Sequence, residues 1–272
     1  MGDARQIRNA MMTMTQMVTA GLLMTLFVAP LAAQRPAATP QKPPAAAKRT
    51  PGQGFIAVNA GILAAPSDFT DDFTFTANAE AGTIEAACPS KTALLLDVSG
   101  GYRFWGRVGV AVAGSRASGK GTAAVRASVP HPLLLDHDRA VEGEAPNVSR
   151  TESAAHLQLF YALAPRGKWR ARFFGGPSYF AVSQDLVRSV TVNEAYPFDT
   201  ATFRSAVTEA GAGSGFGFNV GADLAWMFSR RAGAGLLLRY AGAAVDLNAP
   251  DSRNVSIDAG GFQAGAGLRF LF

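Results

Sequence analysis

Cysteine, histidine and charged residues are all scarce in this 272-residue chain, which has one cysteine, three histidines and a charged share of 17%. The single cysteine, Cys88, excludes a disulfide framework within the chain, and no histidine joins it at a zinc-binding spacing. The charged share lies below the roughly one quarter that is usual for soluble domains. The net charge of +5 comes without any basic run, so nucleic acid is not an expected partner.

Long apolar runs are missing too, except near the amino terminus. Arg5 and Arg8 precede an apolar run from Met17 to Val28, and small residues follow it. This order of features predicts a secretory signal peptide over residues 1–33. The competing interpretation is a membrane anchor, which needs about 20 apolar residues, whereas this run is shorter and ends at Pro30.

The next twenty residues, 34–53, are rich in proline and alanine. Such a segment has almost nothing to bury, so we expect a disordered linker. The folded domain is then residues 54–272. Nothing in its sequence indicates a cofactor, and we predict none.

The last stretch of the chain, from Gly260 to Phe272, alternates between two kinds of residue. With a period of two, phenylalanine, leucine and alanine occupy one face of a strand, and glycine, Gln263, Arg269 and Leu271 occupy the other. Comparable alternation recurs near residues 55–62, 94–104, 108–113, 156–163, 169–174, 215–226 and 235–241. Together these segments make about eight strands, with lengths suited to a transmembrane barrel.

The carboxy-terminal residues carry a resemblance to a known family. A final strand that ends in Leu-Arg-Phe-Leu-Phe resembles the sorting signal of bacterial outer-membrane β-barrels, and the chain is most similar to the small barrels of the outer membrane protein A, X and W type. The resemblance implies an all-β fold, a closed antiparallel up-and-down barrel of about eight strands, in the outer membrane of a Gram-negative-type bacterium. It also implies contact with membrane lipids and lipopolysaccharide, and recognition of the last strand by the barrel-assembly machinery.

The face that carries the glycines also carries the charges, which favours a lipid-facing apolar wall around a polar lumen. An eight-stranded barrel is just wide enough for side chains to fill it, so we predict a salt-bridged lumen rather than a pore. The predicted lumen network is Asp97, Arg103, His156, Asp223, Arg239 and Arg269. Arg170 and Arg172 join it if their strand keeps its phase, but the sequence Gly175-Gly176-Pro177 predicts a bulge or a change of phase there.

The connections between the strands alternate between short and long. Short turns are predicted at Gly106, 164–168 and 229–232, and long loops at 64–92, 118–151, 189–213 and 248–259. In the resembled family these are periplasmic turns and extracellular loops. An aromatic belt is predicted beside the short turns, at Trp105, Trp169, Trp226, Phe228, Phe270 and Phe272.

Two motifs look chemical but lack what their chemistry needs. Gly114–Gly121 nearly spells a phosphate-binding loop, yet Gly121 stands where a Ser or Thr must follow the lysine. His131, Asp136, His137 and Asp138 cluster in one predicted loop, but their spacing matches no known metal site, so we predict no metal.

Three functions remain open at the level of sequence. The resemblance favours a structural scaffold and surface antigen, which leaves open an extracellular partner bound through the loops. The alternative is a porin-like conduit for small hydrophobic or anionic solutes. A lipid-modifying enzyme is the third, since His156 follows Glu152 and Ser153, but a histidine filling a polar core is the simpler explanation, and we predict no catalytic residue.

Overall fold

The computed structural model describes four stretches of the chain: residues 53–64, 68–88, 92–249 and 253–272. The predicted signal peptide and all but the last residue of the predicted linker lie outside them. No helix in these stretches is long and apolar enough to cross a membrane.

Ten antiparallel strands run through the described residues. They are β1 (Gly54–Ala64), β2 (Phe69–Ala77), β3 (Glu80–Cys88), β4 (Thr92–Trp105), β5 (Val108–Pro130), β6 (Asp138–Ala162), β7 (Trp169–Glu194), β8 (Ala201–Met227), β9 (Ala232–Asn248) and β10 (Asn254–Leu271). The predicted all-β, antiparallel, up-and-down arrangement is confirmed. The number is two more than predicted, because β2 and β3 form a hairpin inside the predicted first loop.

Hydrogen-bonded pairing links the strands in a ring. Along the sheet the order is β5-β4-β1-β10-β9-β8-β7-β6, and β6 pairs in turn with β5. The β2–β3 hairpin attaches to this ring where β3 pairs with β5, from Thr83 opposite Ser128 to Ala87 opposite Ala124. The start of β1, the end of β10 and the short turns lie at one edge, which we call the turn end: Gly54 and Phe272 exchange two backbone hydrogen bonds there.

The long loops predicted at 118–151 and 189–213 are wrong, because most of their residues are strand. β5 and β6 pair until Pro130 meets Asp138, and β7 and β8 pair until Glu194 meets Ala201. Only residues 131–137 and 195–200 connect them. Alternation does continue through these segments. Serine, lysine and arginine replace the outward valines, however, and such polar residues are typical of loops.

The predicted change of phase at Gly175-Gly176-Pro177 is also wrong. Arg170, Arg172 and Phe174 point inward, and so does Ser178 beyond the proline, without a register shift against β8. The irregularity falls on the other side of the strand, where pairing with β6 stops at Gly175 and resumes at Ser178. Proline has no N–H to donate, so one edge of the strand loses its ladder there while the phase is kept.

The outward face of the same strands changes character along its length. On β5, Val110 and Val112 are exposed near the turn end, while Arg116, Lys120 and Arg126 are exposed farther on. Comparable exposed apolar residues on the other ring strands form an outward apolar band, which includes Ile56, Val58, Leu96, Val98, Leu157, Leu159, Phe218, Val220, Leu236, Leu238 and Leu268. One set of strands therefore carries two kinds of outer wall.

Beyond the apolar band the strands enclose an apolar core. We call this part the extension: the β2–β3 hairpin together with residues 116–153 and 182–212. Its core contains Ile84, Ala86, Ala123, Val125, Ala127, Val129, Val141, Ala145, Val148 and Val187, with Phe73, Phe75 and Phe203 packed against it. Each fully buried valine or isoleucine stabilises such a core by about 1.5–3 kcal/mol. The extension is therefore a folded unit built like a soluble protein.

Side-chain contacts fasten the extension at its far end. Arg139 is buried and donates to the Glu194 carboxylate at 2.6 Å and to the carbonyl oxygens of Pro130 and Phe198 at 3.0 Å. It therefore joins the β5–β6 connection to the β7–β8 connection. Because Arg139 satisfies carbonyl groups as well as a carboxylate, this ion pair also fixes backbone positions.

Candidate functional site

The middle of the ring interior is filled by a charge pair with amide partners. Arg239 and Asp97 are almost completely buried, and Arg239 Nη1 lies 2.9 Å from Asp97 Oδ2. Asn59 donates to Asp97 Oδ1 at 2.9 Å, and Arg239 Nε donates to Gln263 Oε1 at 2.7 Å. These four residues come from β1, β4, β9 and β10, so the network ties half of the ring strands together.

A second, uncharged network occupies the opposite side of the interior. His156 Nδ1 lies 2.7 Å from Ser178 Oγ, and its Nε2 lies 3.1 Å from Ser115 Oγ. Asn219 donates to Ser178 Oγ at 2.9 Å and accepts from Gln158 Nε2 at 2.9 Å. Both ring nitrogens of His156 thus have hydroxyl partners within a buried chain of hydrogen bonds.

A small cavity lies between the two networks. A cavity of about 10 Å³ remains beside Asp97, Gln158 and Arg239. A cavity needs at least about 10–15 Å³ to hold one water molecule. The cavity beside these three residues is therefore about the size of one water molecule.

The side chains of the three residues of the enzyme hypothesis, Glu152, Ser153 and His156, do not contact one another in the structure. Ser153 lies on the opposite face of β6 from His156, since residues an odd number apart point to opposite sides of a strand. Glu152 shares the face of His156, but its carboxylate contacts Arg150 Nη2 at 2.6 Å and accepts from the Gly260 N–H at 2.8 Å. The structure does not assemble a His-Ser-Glu constellation from these three residues.

A third polar group lies nearer the turn end. Arg269 Nη2 and Nε lie 2.6 Å and 2.9 Å from Asp223 Oδ2, and Arg172 Nη2 lies 3.5 Å from the same oxygen. The Arg172 guanidinium also stacks 3.4 Å from the centre of the Phe55 ring. The inward phase of β7 thus brings Arg172 to Asp223.

This group borders a cavity of about 510 Å³, the turn-end cavity. Its polar lining is Arg103, Arg170, Arg172, Arg230, Arg269, Asp223 and Gln53, and its apolar lining includes Phe55, Phe160, Leu163, Met227 and Leu271. Sequence reasoning missed Arg230, which sits in a short turn where strand phase has no meaning. Arginines that flank successive short turns are the signal that could have pointed to this cavity.

The six residues of the predicted lumen network are therefore divided among three places. Asp97 and Arg239 form one pair, and Asp223 and Arg269 form another. His156 belongs to the uncharged network, and Arg103 lines the turn-end cavity. The phase of each strand predicted that these side chains point inward, but it did not predict their height within the ring.

Exposed aromatic residues lie at both edges of the apolar band. At the turn end Trp169 faces Trp226 across the β7–β8 register, and Lys168 Nζ lies 5.4 Å from the Trp226 ring. The other residues of the predicted belt, Trp105, Phe228, Phe270 and Phe272, are exposed as well. The sequence did not single out the aromatic pair at the far edge, Tyr179 and Phe216, whose ring centres are 5.2 Å apart.

The spacing of these edges matches a bilayer. Trp226 and Phe216 are ten residues apart on β8, which is about 33 Å along a strand. A strand tilted by about 40° then spans roughly 25 Å, the height of the apolar band in membrane barrels.

The far tip of the extension exposes apolar side chains. Leu133, Leu134 and Leu135 are all more than half exposed, and so is Tyr196 on the neighbouring connection. His131 Nδ1 accepts hydrogen bonds from the N–H groups of Leu133 and Leu134 at 3.1 Å and 3.0 Å, which fixes this turn. Within the described stretches, no group of three or more His, Cys, Asp or Glu residues is placed to hold a metal ion.

The near match to a phosphate-binding loop has a simple explanation. Gly114–Gly121 lies within β5 and pairs with β6 residue by residue, from Gly114 opposite Ala155 to Gly121 opposite Val148. A phosphate-binding loop needs a turn that opens a helix. An extended segment cannot cradle phosphate in that way.

Cys88 gives a testable consequence of burial in the extension. Burial raises the pKa of the Cys88 thiol, and the Asp71 carboxylate raises it further, while Arg150 opposes both. Since only the thiolate is nucleophilic, alkylation by iodoacetamide at pH 8 should be slower in the folded protein than in urea. The folded rate should keep rising with pH after the rate of the unfolded chain has levelled off. Equal rates at pH 8, measured by mass spectrometry, would contradict this.

No protein-family model and no curated protein matches the chain. Solved structures do. The outer membrane protein OprG from Pseudomonas aeruginosa is 13% identical, with 81% of this chain and 97% of that chain covered and a TM-score of 0.44. Neisserial surface protein A is 12% identical over 82% and 100% of the two chains, with a TM-score of 0.42. The outer membrane protease OmpT from Escherichia coli is 10% identical over 83% and 99%, with a TM-score of 0.43. The chain is thus similar to proteins of the outer membrane and the cell surface.

Proposed function

We propose that this chain is an integral outer-membrane protein, a closed eight-stranded barrel that anchors a folded extracellular extension. The observation that carries the proposal is the change in the outer wall along β5, from Val110 and Val112 to Arg116 and Lys120. In water an outward row of valine, leucine and phenylalanine is costly, whereas in lipid it is required. The apolar band therefore belongs in a bilayer and the extension in water.

The filled interior supports a scaffold rather than a channel. The pair Arg239–Asp97 and the network around His156 occupy opposite sides of the interior, and each is held by partners on several strands. An eight-stranded barrel has an interior just wide enough for such side chains. Ionic and amide contacts between strands that are far apart in sequence stabilise the closed ring and block it at the same time.

We assign the interaction surface to the far tip of the extension. The exposed leucines 133–135 and Tyr196 are presented by two neighbouring connections, which His131 and Arg139 hold in place. Exposed apolar side chains on a fixed turn are a feature of protein-binding surfaces. A partner outside the cell would meet these residues first, because the hairpins carry them away from the membrane.

A narrow conduit remains the second candidate, and one observation favours it. Pairing between β6 and β7 is interrupted beside Gly176 and Pro177, which is where a wall could open sideways. However, Asn219 Nδ2 donates to the Gly176 carbonyl oxygen at 3.0 Å from the inside. A solute that used this opening would have to displace Asn219 Nδ2 from three acceptors, including Ser178 Oγ.

The test combines a gel with a conductance measurement. We expect the refolded, unboiled protein to migrate differently from the boiled protein on SDS gels, because a closed barrel resists the detergent. In planar bilayers the same preparation should give no steady conductance, while a general porin in the same bilayer serves as the positive control. Steady, reproducible channels would overturn the scaffold in favour of the conduit. A single gel band from a protein soluble without detergent would overturn both.

A further inference from the structure

The turn-end cavity has a strong excess of positive charge. Five arginines and one aspartate line it, a formal charge of +4. We propose that this cavity binds a small organic anion in which a phosphate or carboxylate group is joined to an apolar body. The inference goes beyond the scaffold function and does not depend on it, since it rests on the cavity alone.

Three of the cavity's arginines are held in place before any ligand arrives. Arg269 is fixed by Asp223 and Arg172 by Asp223 and the Phe55 ring. Arg170 Nη1 donates to the carbonyl oxygens of Gly167 and Trp169 at 2.9 Å and 3.0 Å. These carbonyl groups orient Arg170 but are neutral, so its charge still acts on the cavity. A preorganised cation loses little entropy when it binds an anion.

Guanidinium groups favour a particular class of ligand. Their planar N–H groups match the oxygens of carboxylate and phosphate, often through two parallel hydrogen bonds. Asp223 neutralises one positive charge of the lining, while Arg170 at the start of β7 and the exposed Arg230 in the β8–β9 turn bring charge from two separate places at the turn end. An anion between these two residues would relieve the repulsion among the arginines.

The apolar residues of the cavity lining favour an apolar group on the ligand. Phe55, Phe160, Leu163, Met227 and Leu271 form the apolar part of the lining. A volume of about 510 Å³ lies within the usual range for small-molecule pockets. A bare inorganic anion would leave these side chains in water, so an apolar group on the anion should improve binding.

The charge of the residues before Gln53 does not suit the cavity. Gln53 lies at the cavity, so the segment before it is the nearest candidate. That segment, residues 34–52, contains four basic residues, Arg35, Lys42, Lys48 and Arg49, and no acidic residue. Its charge has the same sign as the cavity and would be repelled.

The proposal is tested by calorimetric titration of the full-length protein in nanodiscs of zwitterionic lipid. The probes are phenyl phosphate, inorganic phosphate and benzyl alcohol. We expect saturable binding of phenyl phosphate, weaker binding of inorganic phosphate and none of benzyl alcohol. The double variant Arg170→Gln/Arg230→Gln should weaken phenyl phosphate by about tenfold or more, because it removes two charge-assisted contacts.

The matched control removes the same charge elsewhere. Arg126→Gln/Arg188→Gln changes two exposed arginines of the extension and should leave the affinity for phenyl phosphate unchanged. Nanodiscs that contain phosphatidylglycerol distinguish the source of the anion, since competition there would assign the site to a lipid headgroup and its absence to a soluble anion. No saturable binding, or equal loss in both double variants, would overturn the proposal. An unboiled gel shift for every variant shows that a loss of binding is not a loss of folding.

Discussion

Val220→Arg is expected to destabilise the folded protein by about 2–4 kcal/mol, because it places a charge near the middle of the apolar band. Val220 is half exposed on β8, between Phe218 and Leu224 on the outward face. The measurement is urea-dependent unfolding and refolding in lipid vesicles, followed by the fluorescence of the three tryptophans. If the apolar band faced water, the same change would be a surface substitution worth at most about 0.5 kcal/mol.

Two substitutions on β5 are the matched controls for that result. Ala124 and Val125 are neighbours in the extension, but Ala124 is exposed and Val125 is buried in its core. Ala124→Arg should change the stability by less than about 0.5 kcal/mol, since its outward face lies in water. Val125→Arg should be severely destabilising, since it buries an unpaired charge. A large cost for Ala124→Arg together with none for Val220→Arg would reverse the assignment of lipid and water.

Arg239→Leu is expected to cost about 3–5 kcal/mol, because it leaves the Asp97 carboxylate buried without its cation. Asn59 would remain as a hydrogen-bond partner, but an amide cannot neutralise a carboxylate. The double variant Asp97→Leu/Arg239→Leu should recover most of the loss, since it removes both charges from the interior. The same urea titration in vesicles measures all three proteins.

The exposed pair Arg188–Glu209 provides the comparison on the extension. Arg188→Leu should cost at most about 1 kcal/mol, because water and salt already screen that pair. If Arg239→Leu lowers the free energy of unfolding no more than Arg188→Leu does, then water reaches Asp97, and the proposal of a filled lumen is wrong. A double variant no more stable than Arg239→Leu alone would mean that packing, rather than the unpaired charge, causes the loss.

The sequence alone determined which way the ring strands face. Successive side chains of a strand point to opposite sides, so a glycine-rich face that carries Asp97, Asp223 and Arg239 separates from a face of valine and leucine. This is a local property, and it needs no knowledge of which strands are neighbours. The all-β class, the inward direction of the charges and the positions of the short turns followed from it.

The extension could not be recognised from the same pattern. Past Ser118, β5 still alternates, but most of its outward residues are polar, and alanine and glycine make up most of its inward residues before Val129. Such a segment is a strand only if something covers its apolar side, and here β3, Phe203 and Val187 do so. A tertiary contact therefore decided between strand and loop, and its partners lie tens of residues away in sequence.

The partners of the buried charges also depended on the tertiary structure. Periodicity placed Arg239, Asp97 and Asp223 inside, but it could not say which aspartate Arg239 would meet. The register of each strand against its neighbours sets the level of every residue along the interior, and that register puts Arg239 beside Asp97 and Arg269 beside Asp223. The turn-end cavity arises in the same way, because short turns and strand ends far apart in sequence meet at one edge. Local alternation determines whether a side chain points into or out of the ring. Only the pairing of all the ring strands determines its height within the interior, and the position of a site depends on both.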